Sequence, residues 1–215
     1  DFMLSGTGQF KTALTVKALE ILGVEWGDLA LNLAHESSGQ YVVDLGLNGI
    51  NMEVGVKGTY VPDSIASRID MALDISRINL IAIEPLSGGQ IKNSTGGLTG
   101  EVTVKGSPSN PEIRGFLTFQ KASLVPSFVN SKFLLQDERI AFTGDGVVLE
   151  NFRILDEQNN VATIKGILKT SDYTAFDMDL SLTARNFQLL NTKEGDNELF
   201  YGKVGINTTA TIHGS

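Results

Sequence analysis

Apolar and polar residues alternate along much of this chain with the period of two that an extended strand requires. In residues 176–187, Phe176, Met178, Leu180, Leu182 and Ala184 point one way while Asp177, Asp179, Ser181, Thr183 and Arg185 point the other. Residues 68–76 repeat the pattern, with Ile69, Met71, Leu73 and Ile75 set against Arg68, Asp70 and Asp74. In residues 101–106, Val102 and Val104 oppose Glu101, Thr103 and Lys105. Half-buried strands are predicted at all three places. Turn residues separate such runs: Ser107 to Pro111, Gly88-Gly89, Gly96-Gly97, Gly144-Asp145-Gly146 and Gln158-Asn159-Asn160. The spacing of these breaks predicts roughly 14 strands of about 5–8 residues each.

Two stretches are less regular. Residues 17–26 fit strands or two helical turns, and Thr12, Thr15 and Val16 before them favour strands. Residues 62–68 have room for one helical turn after Pro62. Composition changes sharply nowhere, so residues 1–215 read as one elongated β unit, with 88–97 as the loosest segment.

A short signature recurs within the alternation. A β-branched aliphatic, a basic residue and a glycine stand together at Val56-Lys57-Gly58, Val104-Lys105-Gly106, Ile113-Arg114-Gly115, Ile164-Lys165-Gly166 and Ile212-His213-Gly214. Such triplets suit strands that end in turns and suggest a repetitive, all-β architecture.

Composition narrows the function. Glycines (23) far outnumber prolines (5), and charged residues make up 20% of the chain, as in a folded β-protein. A net charge of −8 and scattered cations argue against nucleic acid. No cysteine is present, which excludes disulfides and thiolate metal sites. No apolar run reaches the length of a membrane-spanning helix. The first residue is Asp1 and the last follows a triplet directly, so a piece of a longer protein is expected.

Catalytic patterns are absent from the sequence. His35 and His213 lack any second ligand at metal-binding spacing. Asp177 and Asp179 are spaced like a glycosidase pair, but an outer solvated strand face explains them better, since Asp70 and Asp74 share that pattern. No phosphate-binding glycine loop, nucleophile elbow or calcium loop occurs. No cofactor, metal or enzymatic role is therefore expected. What remains is the apolar face: Ile69, Met71, Leu73, Ile75, Val102, Val104, Leu117, Phe119, Ile164, Phe176, Met178, Leu180 and Leu182. It could pack a closed sandwich core or line an open, curled sheet available to a ligand.

Residues 97–119 place Leu98, Gly100, Val102, Val104 and Gly106 two apart, and after a proline turn Pro111, Ile113, Gly115, Leu117 and Phe119 continue the phase. Leu124-Val125-Pro126, then residues 149–158, 164–170 and 176–192 follow in order. This succession resembles the C-terminal region of the TamB family, AsmA-like proteins of the bacterial envelope. The resemblance covers residues 97–215 and is generic before that. It implies a taco-like half-pipe, or β-solenoid, with an apolar concave groove lined by the thirteen residues above. It further implies a periplasmic segment of a protein anchored in the inner membrane of a Gram-negative bacterium. The implied ligands are phospholipid acyl chains, moved between membranes in outer-membrane biogenesis. The implied partner is an outer-membrane barrel of the TamA kind, engaged, like the anchor, through regions outside this sequence. The alternative roles are a chaperone that accepts strands of unfolded barrel proteins by β-augmentation, and a closed structural spacer.

Overall fold

The structure is a computed structural model that describes residues 9–63, 65–170, 173–195 and 201–214. Thirteen strands form one antiparallel sheet. They are β1 (Phe10–Ile21), β2 (Val24–His35), β3 (Tyr41–Asn48), β4 (Met52–Val61), β5 (Arg68–Asn79), β6 (Ile91–Ser107), β7 (Asn110–Pro126), β8 (Phe133–Leu135), β9 (Arg139–Thr143), β10 (Gly146–Leu155), β11 (Val161–Lys169), β12 (Asp177–Thr192) and β13 (Gly202–Gly214). Neighbours in sequence are mostly neighbours in space. The short strands β8 and β9 share one place, both bridging β7 to β10. The sheet is thus twelve strand positions wide.

Sequence alternation sets the two faces. Aliphatic and aromatic residues line most of one face, and the other carries most of the charges and threonines, with Phe116, Val148 and Ile167 among them. Opposite charges stand directly across from each other on that polar face: Asp44 to Lys57 at 3.8 Å, Asp70 to Lys105 at 3.1 Å and Asp179 to His213 at 3.3 Å, this last ionic only when the imidazole is protonated. All are solvent-exposed, so they fix register more than they add stability.

Strands run longer than the turn signals predict, up to 17 residues in β6 and β7. The reason is the β-bulge, which bends a strand without ending it. The ladder shifts register at Val16/Leu19, Glu53/Val54, Ile75/Ile78, Lys92/Thr95, Leu149/Phe152 and Ala184/Phe187. Followed through the pairing, these shifts lie near one line across the sheet. At several of them a non-glycine residue adopts left-handed backbone: Ala18 at φ 48°, Asn93 at 54°, Asn151 at 52° and Asn186 at 48°. Amides near the shifts find side-chain acceptors instead of strand partners. Ala18 donates to Asp28 at 3.0 Å, Ser94 to Glu84 at 2.7 Å, Arg153 to Glu138 at 2.8 Å and Asn186 to Asn207 at 2.9 Å. Lys17 also donates to Asp28, and this bond leads the causes that hold the Asp28 carboxyl below its ordinary value.

Three expectations are corrected here. Gly96-Gly97 does not end the strand, because it lies inside β6, but the ladder to β7 shifts register between Thr95 and Gly97, and a methyl on Gly96 would sit 2.4 Å from the Lys121 carbonyl. Residues around Pro62 form no helical turn among the described residues; Asp63 accepts the amides of Ile65 and Ala66, closing a side-chain-capped turn. The triplet glycines Gly58, Gly115 and Gly166 sit inside β4, β7 and β11, where the expectation was a strand end. At each, a Cβ would come within about 2.0–2.1 Å of a neighbouring strand's carbonyl oxygen. Glycine is needed for close approach of two strands, and Gly115 and Gly166 (φ 129° and 142°) also adopt backbone that other residues avoid.

The sheet is covered at one end. Between β5 and β6 the chain forms a short helix, α1 (Leu80–Ile83), and a 3₁₀ turn (Glu84–Ser87). Leu80 packs with Ala122, Leu135 and Phe152; Ala82 packs with Leu47 and Met52. A third cluster joins Ala162, Ala184 and Phe187, with Phe133 stacked on Phe187 at 5.4 Å. Residues 127–132 strap this end: Ser127 bonds to Gly89 and Gln90, while Asn130 donates to the Asn191 carbonyl.

Candidate functional site: the apolar face

Antiparallel partners that stand opposite each other project to the same face, so pairing identifies which side chains share a surface. One row crosses all twelve strand positions: Leu14, Leu31, Leu45, Val56, Leu73, Val102, Gly115, Phe142, Val147, Leu168, Met178 and Gly214. No charged or hydrogen-bonding side chain interrupts it. A flanking row joins Leu47, Val54, Ile75, Gly100, Leu117 and Ile140.

Most residues named from the sequence fall on this face. Met71 opposes Val104, Leu73 opposes Val102, and Ile164 opposes Leu182. Ile69, Ile75, Leu117, Phe119 and Leu180 oppose Gly106, Gly100, Ile140, Leu98 and Gly166. Ile75 and Val102 are buried, most others half-buried, and Met178 is 38% exposed. Phe176 is the exception. It precedes β12, pairs with no strand, and meets Tyr173 edge-on at 6.3 Å.

The structure adds residues that alternation within one strand could not reveal. Phe10, His35, Tyr41 and Tyr60, from four successive strands, stand side by side at the uncovered end of the face. Their rings lie 5.5, 4.7 and 6.1 Å apart in that order. Tyr60 keeps its hydroxyl on Ser67 at 3.2 Å. Rings with an apolar body and a polar tip suit a boundary between an oily surface and water. His35, singled out in the sequence only as a lone histidine, belongs to this stack.

Among the described residues, no group of three His, Asp or Glu side chains could hold a metal. No helix of the described residues is long and apolar enough to cross a membrane. Among the described residues, Asp156, at the β10–β11 turn, is the most buried carboxylate, 1% exposed. Burial pushes its pKa up, but bonds from the amides of Gln188, Asn160 and Gln158 and from the Asn160 side chain together outweigh this and hold it low. It is a structural anion with every lobe occupied.

No family model, curated protein or solved structure matches the chain.

Proposed function

We propose that the sheet curls about its line of bulges into a half-pipe with the apolar face inside, and that this lane carries phospholipid acyl chains. The observation that carries the reading is the unbroken apolar row from Leu14 to Met178. Two others support the curl. Alternate residues of β5 differ in burial, Asp70, Ala72 and Asp74 exposed against Met71, Leu73 and Ile75 covered, although all the described strands belong to one sheet. Helix α1 also packs against both β2 and β6. On a flat sheet those strands would be roughly 19 Å apart, too far for a single helix about 10 Å wide.

The energetics suit transport. Each buried CH₂ contributes about 0.8 kcal/mol, so a chain of about sixteen carbons would need roughly 12 kcal/mol to enter water. A continuous apolar lane lowers that barrier without polar contacts. Twelve strand positions spaced about 4.8 Å apart give a lane on the order of 50 Å, longer than one acyl chain. This length favours a conduit over a pocket for one ligand. In this reading the chain is a periplasmic segment of a TamB-like protein, its parent anchored in the inner membrane and partnered by an outer-membrane barrel. Lipid co-purification, with and without a charge placed at Leu180, tests it.

A further inference from the structure

Turn tips ordinarily carry polar residues. At the uncovered end of the sheet they do: Glu36 to Gln40, Pro108-Ser109 and Gly144-Asp145 join strands there, with Ile65 and Phe176 as exposed apolar exceptions. The covered end differs on its β1 side, where the β1–β2, β3–β4, β5–β6 and β7–β8 connections lie. Each of these presents a large apolar side chain to solvent: Leu22, Ile50, Ile81 with Leu86, and Phe128, between 47% and 77% exposed. Charge is withdrawn from the same four connections. Their ionisable residues are Glu84 and Lys132, both half-buried, and Glu84 is bonded to the Ser94 amide at 2.7 Å. The tips are also pinned in place. Arg77 donates to the Gly49 carbonyl at 2.9 Å, Asn79 to the Ile50 carbonyl at 3.2 Å, and Asn51 to the Glu25 carbonyl at 2.9 Å. The Ile50 turn is thereby tied to both β2 and β5 while its side chain stands in water. Further along the same end the pattern stops: Asp156 and Glu157 occupy the β10–β11 turn, and Lys193 and Glu194 follow β12.

We propose that the β1 side of this end docks on a lipid bilayer, with Leu22, Ile50, Ile81, Leu86 and Phe128 reaching the acyl boundary. The proposal goes beyond the conduit reading and does not rest on it. Composition selects lipid over protein as the occupant. Protein interfaces concentrate their binding energy in Tyr, Trp and Arg, and these tips have none of the three. A bilayer penalises inserted charge, and the exposed tip residues carry no charge. Leu22 and Ile50 stand on hairpins about two strand spacings apart, roughly 10 Å. A fluid surface admits such separate wedges without a matching pocket for each. Charges on the strands just behind the tips are mixed in sign, Glu20, Glu25 and Glu53 with Arg77 and Lys92. Apolar insertion, not attraction to anionic headgroups, therefore drives the docking. The charged β10–β11 and β12–β13 connections stay in water, so the sheet meets the bilayer with its β1 side down.

The probe is phosphatidylcholine vesicles, with phosphatidylglycerol vesicles for comparison, and binding is read by flotation of the purified chain. The expected result is binding to both that changes little between low and high salt. The double variant Ile50→Ser/Leu86→Ser should bind at least about tenfold more weakly, since two apolar side chains no longer leave water. Both side chains are exposed in the free protein, so circular dichroism should be unchanged. Ile65→Ser, at the opposite end, should bind like the wild type. Because the chain has no cysteine, single labels report position. An environment-sensitive fluorophore on Ile50→Cys should shift to the blue when phosphatidylcholine vesicles are added, and one on Ser109→Cys should not. No flotation, wild-type binding by the double variant, or an equal shift at both labels overturns the proposal. So does binding confined to phosphatidylglycerol and abolished by salt, which would mean attraction to charge alone. A blue shift at residue 50 that grows with protein concentration without vesicles would assign the tips to a second copy of the chain and overturn it too. Lipid held by the chain in native mass spectrometry without flotation overturns the docking and leaves the conduit standing.

Discussion

Asp156, in the turn between β10 and β11, accepts the backbone N–H of Gln188 in β12 at 2.8 Å, tying a hairpin tip to a bulged strand two positions away in the sheet. The same carboxylate holds its own turn through Gln158 and Asn160. Asp156→Ala should therefore cost about 2–4 kcal/mol, because it strands several buried donors at once. Urea unfolding at neutral pH measures this.

The same residue dictates an acid sensitivity. Its folded pKa lies below the ordinary carboxylate value, so its stabilisation is present in full above about pH 4. It disappears as pH falls through the lower folded value, where the carboxylate must protonate and give up its acceptor role. Melting temperature should drop below about pH 4 in the wild type and drop less in Asp156→Asn. Parallel falls in the two proteins would assign acid unfolding to other groups.

Glycines in this sheet divide by their surroundings. Gly166→Val should destabilise by about 3 kcal/mol or more, since its Cβ would sit 2.1 Å from the Asp179 carbonyl. Gly55 has nothing within 4 Å of a built Cβ and ordinary backbone. Gly55→Ala should be neutral or stabilising by about 0.5 kcal/mol. Thermal melts of both variants check the contrast.

The bulge line makes its own prediction. Asn151 adopts φ 52° where β10 shifts against β11. Asn151→Val should cost about 1–2 kcal/mol, while Asn151→Gly should be tolerated, because only the β-branched residue resists left-handed backbone. Equal melting temperatures for the two variants would mean that this backbone is not held in the folded protein.

Much of the sheet was legible in the sequence because period-two alternation is a local property. Met71 and Leu73, or Leu180 and Leu182, declare their common side within one strand. Bulges are not local in that sense. Ala18 and Asn186 carry no mark that they will turn left-handed; the acceptors near them, Asp28 and Asn207, come from the partner strand. This is why turn signals suggested shorter strands. The aromatic stack was hidden for the same reason, since Phe10, His35, Tyr41 and Tyr60 meet only once four strands are in register. The helix at Leu80–Ile83 was missed because four apolar residues in a row suit a buried strand equally well. Pro85 in the 3₁₀ turn was the available signal.

The triplets show how a correct pattern can carry the wrong local meaning. Their aliphatic and glycine positions share the apolar face, as Val56 and Gly58 do opposite Leu73 and Met71. The basic residue faces the charged side, where Lys57 meets Asp44. At Gly58, Gly115 and Gly166 the glycine admits a neighbouring strand and does not end its own, whereas Gly106 stands one residue before the end of β6, as the pattern predicts.

The most direct test of the lane is native mass spectrometry of the purified chain after exposure to phospholipid vesicles, comparing wild type, Leu180→Asp and Thr183→Asp. Leu180 is on the apolar face and Thr183 on the opposite one. With circular dichroism unchanged in all three, bound phospholipid is expected for the wild type and Thr183→Asp and lost by at least about tenfold in Leu180→Asp, since a carboxylate in the lane must be desolvated. A well-folded wild-type chain that carries no lipid, or equal loading of all three proteins, would contradict the account.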